Sequence, residues 1–131
     1  MRLPPPVADL LGIELVEAGG DECTMKLEAG EQHSNPMGTI HGGIICDLAD
    51  AAMGMSFFST LEEGESFTTL ELKTSFLRPV WKTTLRAEAA VLQRGRTVGL
   101  VECTVTDGDG KMVARASSTC LTLRGEQARG R

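Results

Sequence analysis

A glycine pair, Gly42-Gly43, opens a long apolar run, and that run carries two carboxylates, Asp47 and Asp50. Just upstream, "HSNPMGTIHGG" (residues 33–43) holds both histidines of the chain and an Asn35-Pro36 step. If the run is a helix, its first N–H groups are unpaired and carry about half a positive charge. Glycine lets a carbonyl oxygen approach those groups closely, as an oxyanion hole requires. The pair would equally relieve crowding where a helix enters a sheet, and the sequence leaves both readings open. Asp50 lies deep in the apolar run, where desolvation raises a carboxylate pKa and suits it to work as general base or nucleophile. Asp47, one turn earlier, shares its stripe. Asn35, held extended by the proline after it, can donate its amide to the same oxyanion or close an Asx turn. Together these residue types point to addition at a carbonyl carbon. No metal-ligand spacing joins His33, His41 and an aspartate, so no metal is expected.

Helix geometry adds a condition. Gly42 and Asp50 stand eight residues apart, about 12 Å of rise on one helix. Both cannot reach one carbonyl from the same chain. Chemistry at both positions therefore requires two subunits, and a two-fold dimer supplies two such sites.

The elements that must position these residues can be read from pattern. "PVADLLGIELVEAG" starts as a short helical turn and passes into a strand, and "CTMKLEA" alternates as a half-buried strand. Residues 42 to about 61 have the length of one helix, with Gly64 as the residue expected just past its end. That helix is apolar nearly all round and must be wrapped by other structure. "SFTTLELKTSFLRPV", "TTLRAEAAVLQRG", "TVGLVECTVTDGDG" and "KMVARASSTCLTLR" read as four successive strands, with "DGDG" the clearest hairpin signal. The layout is α+β: a curled antiparallel sheet around one long central helix.

Composition sets the outer limits. A chain of 131 residues, 41% hydrophobic and 24% charged, is expected to form one domain, with residues 124–131 frayed. A net charge of −5 argues against nucleic acid as a partner. No apolar stretch has the length of a membrane span, and "MRLPPPVADLL" lacks the apolar core of a leader, so a cytoplasmic protein is expected. Cys23, Cys46, Cys103 and Cys120 form no CxxC pair and read as small buried hydrophobes in a reducing compartment.

The run from His33 to Gly43, with Asp50 seven residues on, resembles the HxNxxGxxHGGxxxxxxD signature of hotdog-fold acyl-CoA thioesterases of the phenylacetate-pathway (PaaI-like) family. The similarity continues through "TTLELKTSFLRPV", "QRGRTVG" and "KMVARASSTCL" and covers almost the whole chain. It implies the hotdog fold and hydrolysis of an acyl-CoA thioester, with Asp50 as nucleophile or general base. It implies that the Gly42 N–H and Asn35 polarise the thioester carbonyl, and that Thr69, or Thr68 beside it, helps to position water. His41 is expected to shape the turn. Arg78, Lys82, Arg94, Gly95, Arg96, Thr97 and Ser117 fall in regions that contact coenzyme A in similar proteins; the arginines read equally well as solvated strand-end charges. Coenzyme A enters as part of the substrate and no other cofactor is implied. The resemblance also implies half-sites from opposite subunits of a homodimer, with dimers commonly paired into tetramers. Two rivals remain: a hotdog protein that binds acyl-CoA without hydrolysing it, and a hydratase on the same fold. The acyl group itself is not legible.

Overall fold

The computed structural model describes residues 4–131; Met1–Leu3, part of the stretch read above for a leader, lie outside the described residues. The chain runs through a short helix α1 (Pro6–Leu11), strands β1 (Ile13–Gly19) and β2 (Glu22–Ala29), and the long helix α2 (Gly42–Phe58). Strands β3 (Ser66–Phe76), β4 (Thr83–Arg94), β5 (Val98–Thr106) and β6 (Met112–Leu123) follow. All pairings are antiparallel, in the order β1-β2-β4-β5-β6-β3. The sheet curls around α2, as the pattern of one apolar helix and successive strands requires.

Period-2 burial shows how the sheet accepts the helix. Leu85, Ala87 and Ala89 of β4, Val101, Cys103 and Val105 of β5, and Ala116 and Cys120 of β6 point inward. Most are small, so α2 can lie close to the strands. Its Leu48, Ala49, Ala52, Met53 and Phe57 are fully buried against them. Phe57 anchors the far end: its ring packs 5.4 Å from Phe67 and lies 4.6 Å beneath the Arg94 guanidinium. Gly99 makes room for it, because a Cβ there would stand 2.4 Å from the Phe57 ring and 3.2 Å from the Gln93 carbonyl oxygen. Gly99→Ala is therefore expected to destabilise the protein by about 1–3 kcal/mol, through overpacking against a ring that cannot retreat. Urea unfolding measures it, and an unchanged midpoint would mean that the ring does move.

The helix differs from its expected span. It ends at Phe58 with Ser59 as C-cap, some three residues early, because the hydroxyls of Ser59 and Thr60 turn back to the carbonyls of Ser56 and Phe57. Gly64, at φ 82°, belongs to the turn entering β3 rather than to the helix end. The stretch read as frayed begins with contacts to the body of the fold. Arg124 ion-pairs with Glu65 at 2.7 Å, and Gly125–Ala128 form a 3-10 turn.

The two sheet edges are unlike. β1 is short, carries Glu14 and Glu17, and is kinked by a register shift between Leu15 and Glu17. β3 is 11 residues long and exposes Leu70 and Leu72. An edge of that length with apolar side chains is a template for a further strand.

Candidate active site

α2 starts where the sequence places it. His41 is its N-cap: the ring Nδ1 accepts the Gly43 N–H at 2.9 Å, and its carbonyl accepts the N–H groups of Ile44 and Ile45. That leaves the Gly42 N–H without an acceptor among the described residues. Gly42 borders a hollow of about 350 Å³ lined also by Ile40, Phe76, Arg78 and Val80. A Cβ at Gly42 would meet the Phe76 ring at 3.0 Å, so the glycine admits both the ring and an approaching oxygen. The glycine thus makes room for the ring, and its N–H has no acceptor among the described residues. His41 serves as a cap, in keeping with a turn-shaping role.

The loop before it is built on hydrogen bonds. Asn35 closes an Asx turn, its Oδ1 accepting the Met37 N–H at 3.0 Å, while its Nδ2 donates to Thr39 Oγ1 at 2.6 Å. One amide hydrogen of two is thereby used, and the second has no acceptor among the described residues. His33 is buried and fully engaged: Nδ1 accepts the Gly30 N–H at 3.0 Å and Nε2 donates to the Leu11 carbonyl at 2.7 Å. With both ring nitrogens committed to main chain, His33 is a fastener between this loop and α1. His33→Ala would leave the half-buried Gly30 N–H and Leu11 carbonyl without their partner, at about 1 kcal/mol for each group. A fall in thermal midpoint with composition otherwise unchanged is the expected reading.

Asp50 stands two turns along α2 from Gly42, beside Asp47, and both open onto one hollow of about 290 Å³ whose other walls are apolar. In the single chain Asp50 is exposed rather than buried. Even so, its pKa is raised, first by desolvation against those walls and then by the Asp47 charge. Thr69 faces the same side of the sheet as Phe67, and its Oγ1 lies 3.9 Å from Cys120 Sγ. Cys120 in turn feels the Asp50 charge, which adds to the burial that raises its thiol pKa. The strand alternation thus selects Thr69 over Thr68 as the inward residue, and a register shift between Thr69 and Glu71 marks the place. Burial pushes Cys23 up to about 11 and Cys103 up to about 12, so these thiols stay protonated at neutral pH.

The cations expected near coenzyme A divide between two ends of α2. Arg78 and Lys82 are exposed at the β3–β4 connection, and Arg78 shares the hollow at the helix start with Gly42. Arg94, Gly95 and Arg96 lie at the other end, in a polar hollow with Thr60, Glu62, Glu65 and Arg124. There Arg94 is engaged in the fold: Nε donates to Thr60 Oγ1 at 2.8 Å and Nη1 to the Gly95 carbonyl, over the Phe57 ring. Gly95 is a glycine for backbone reasons, since a Cβ would stand 2.5 Å from the Val98 carbonyl oxygen. Thr97 accepts the Thr122 N–H on its carbonyl and an Arg124 N–H on its hydroxyl. Glu65 accepts from the Glu62 N–H and from Arg124, which hold its carboxyl below the usual range. Ser117, two residues from the outward Arg115–Glu102 pair, faces away from α2 on the opposite side of the sheet from Ser118. The structure therefore brings Gly42, beside the His41 cap, and Arg78 to one hollow, and sets both Asp50 and Thr69 near Cys120; Asn35 lies in the loop before the helix and Lys82 in the β3–β4 connection. Arg124 was hidden from sequence reasoning by its place in a tail that reads as frayed. The α1 residues bordering the Asp50 hollow were missed because a six-residue helix gives too short a pattern to assign a face.

Six antiparallel strands curled about one long central helix form the hotdog fold of thioester hydrolases. The Thioesterase superfamily profile matches residues 37–114, and the chain belongs to that superfamily. It is 36% identical to a solved phenylacetic acid degradation-related protein of Ralstonia eutropha JMP134, with a TM-score of 0.83 over 90% of this chain and 91% of that one. The PaaI protein from the phenylacetic acid degradation operon of E. coli superposes at a TM-score of 0.86 over 93% and 87% of the two chains; at 24% identity that likeness is one of fold. Mouse acyl-coenzyme A thioesterase 13 is 26% identical over 109 residues, 82% of this chain and 77% of that protein.

Proposed function

We propose that the substrate is an acyl-CoA and that each site is shared between two subunits. The observation that carries this reading is the pairing of an acceptor-free Gly42 N–H with an Asp50 carboxylate two turns away on the same helix. Their separation of about 12 Å along the axis requires a second chain to bring one of each together. The long unpaired edge of β3 supports a two-fold pairing that would do so.

The thioester oxygen rests on the Gly42 N–H and the free Asn35 amide hydrogen of one subunit. Asp50 of the other takes a proton from water, whose oxygen bonds to the thioester carbon. Negative charge moves onto the carbonyl oxygen and is held by those donors. Collapse breaks the carbon–sulfur bond, and the proton goes to the departing thiolate, giving free acid and coenzyme A. Thr69 orients the water beside Asp50. Arg78 at the helix start and Lys82 in the β3–β4 connection offer the phosphates of coenzyme A a cationic rim. The four free cysteines, with no helix among the described residues long and apolar enough to cross a membrane, support placing the reaction in a reducing cytoplasm.

Thiol release from a panel of acyl-CoAs tests the reading. Turnover with at least one acyl class is expected; tight acyl-CoA binding with no thiol released would replace hydrolysis by simple binding.

A further inference from the structure

The hollow at Asp50 shares walls with a second one, and the two together are called the trough. The walls of the first are Val7, Ala8 and Leu11 of α1, Ile13 of β1, and Ala51, Gly54, Met55 and Phe58 of α2. The second, of about 550 Å³, lies between α1, β1 and β2, bounded by Asp9, Glu14, Leu15 and Met25. Pro5, Ala8, Ile13, Ala51 and Met55 line both, so the two are neighbouring compartments with a common wall. Two facts about this trough bear on what it can hold.

The first is chemistry. Among the described residues, the polar side chains along it are four carboxylates: Asp47 and Asp50 at the near end, Asp9 and Glu14 at the far end. Among the described residues of this chain, no amide, hydroxyl, imidazole or cationic side chain lines it. An acyl group with its own carboxylate would meet repulsion at both ends and no donor between them. A ring hydroxyl would lose water along apolar walls without a neutral partner.

The second is extent. The near compartment alone, about 290 Å³, is at the lower bound for a ligand pocket, and the second nearly triples the space. A single ring on a short linker would leave the far compartment empty of ligand. A linear chain passes along both, and each methylene buried is worth roughly fourfold in kcat/KM. The common wall sets where that passage narrows. Ala51, one residue from Asp50, is the smallest side chain α2 offers there, and Met55 one turn on is unbranched and able to swing aside.

We propose that the trough between α1 and α2 binds the acyl group, that the preferred acyl group is an unsubstituted linear hydrocarbon long enough to enter the second compartment, and that Ala51 and Met55 fix its length. This rests on the hydrolase reading above, and names the substrate class of that same site.

The experiment measures kcat/KM for butyryl-, octanoyl-, dodecanoyl-, succinyl- and 4-hydroxyphenylacetyl-CoA with the wild-type protein and with Ala51→Leu and Met55→Ala. The wild type is expected to rise from butyryl to dodecanoyl and to discriminate against the succinyl and hydroxyaryl groups. Ala51→Leu should lower the dodecanoyl-to-butyryl ratio by about tenfold or more, as a side chain of that size does in an apolar pocket. Met55→Ala should move the ratio the other way. A preference for the hydroxyaryl or succinyl substrate, or equal losses at every chain length in Ala51→Leu, overturns the trough assignment and leaves hydrolysis standing. No thiol release from any of the five overturns the hydrolase reading itself.

Discussion

Asp50→Asn is expected to cost about 10²–10⁴-fold in thioester turnover while leaving the fold intact. Asparagine keeps the shape of the carboxylate but cannot accept the proton of water. The same change is expected to raise the thermal midpoint near neutral pH. The Asp50 pKa is raised above its ordinary value of 3.8 by desolvation and by Asp47, so the folded state binds this proton more tightly than the unfolded chain does. Its cost to stability is therefore absent below about pH 4 and grows as pH rises through the folded value. Removing the charge removes that cost, a trade of stability against activity often met at active sites. Asp47→Asn should lower the Asp50 pKa, so the acid limb of the kcat/KM profile moves to lower pH. Thiol-release rates from pH 4 to 8 and thermal unfolding at pH 7 measure all three effects. Near-native turnover in both Asp50→Asn and Asp50→Ala would remove Asp50 from the mechanism.

The second large effect is expected from β3, far from any reacting atom. Lysine at both Leu70 and Leu72 puts charge on the exposed side chains of this edge, where they are 58% and 38% accessible in the single chain. Natural edges carry such lysines to prevent pairing. The expected product is a folded monomer with turnover reduced a hundredfold or more, because each subunit would hold two halves that cannot meet. Light scattering gives the mass, and the thermal transition checks the fold. A fully active monomer would sink the shared site. A cleaner version mixes two inactive proteins, Asp50→Asn and Gly42→Val. Each mixed dimer regenerates one site with an intact Gly42 from one chain and an intact Asp50 from the other, so activity returns on mixing.

Much of this was legible in the amino-acid order. The strands carry period-2 alternation, and α2 is apolar over more than four turns, a pattern only a wrapped helix can satisfy. The helix start was legible because His41, Gly42 and Gly43 have few other uses together. Two things were not. The end of α2 depends on hydroxyls of Ser59 and Thr60 choosing local carbonyls, a competition that apolar periodicity does not record. The employment of Arg94 depends on Phe57 arriving beneath it from 37 positions away in sequence. Charge at a strand end reads as a surface group until the partner is placed. Asp50 shows the raised pKa that its apolar surroundings imply, yet its side chain stays exposed in the single chain, which apolar neighbours in sequence do not record.

His33 gives the molecule a property that neither of its hydrogen bonds has alone. Its ring joins Gly30, at the entry to the loop bearing Asn35, to the carbonyl of Leu11 at the end of α1, 22 residues earlier. The loop bearing Asn35 and the helix bordering the hollow at Asp50 therefore share one fastening. Groups joined through one hydrogen-bond network do not respond independently to substitution. Changes in α1 that alter acyl preference should alter the penalty of changing Asn35, and the excess over additivity should vanish once His33 is replaced by a residue that bonds to neither backbone.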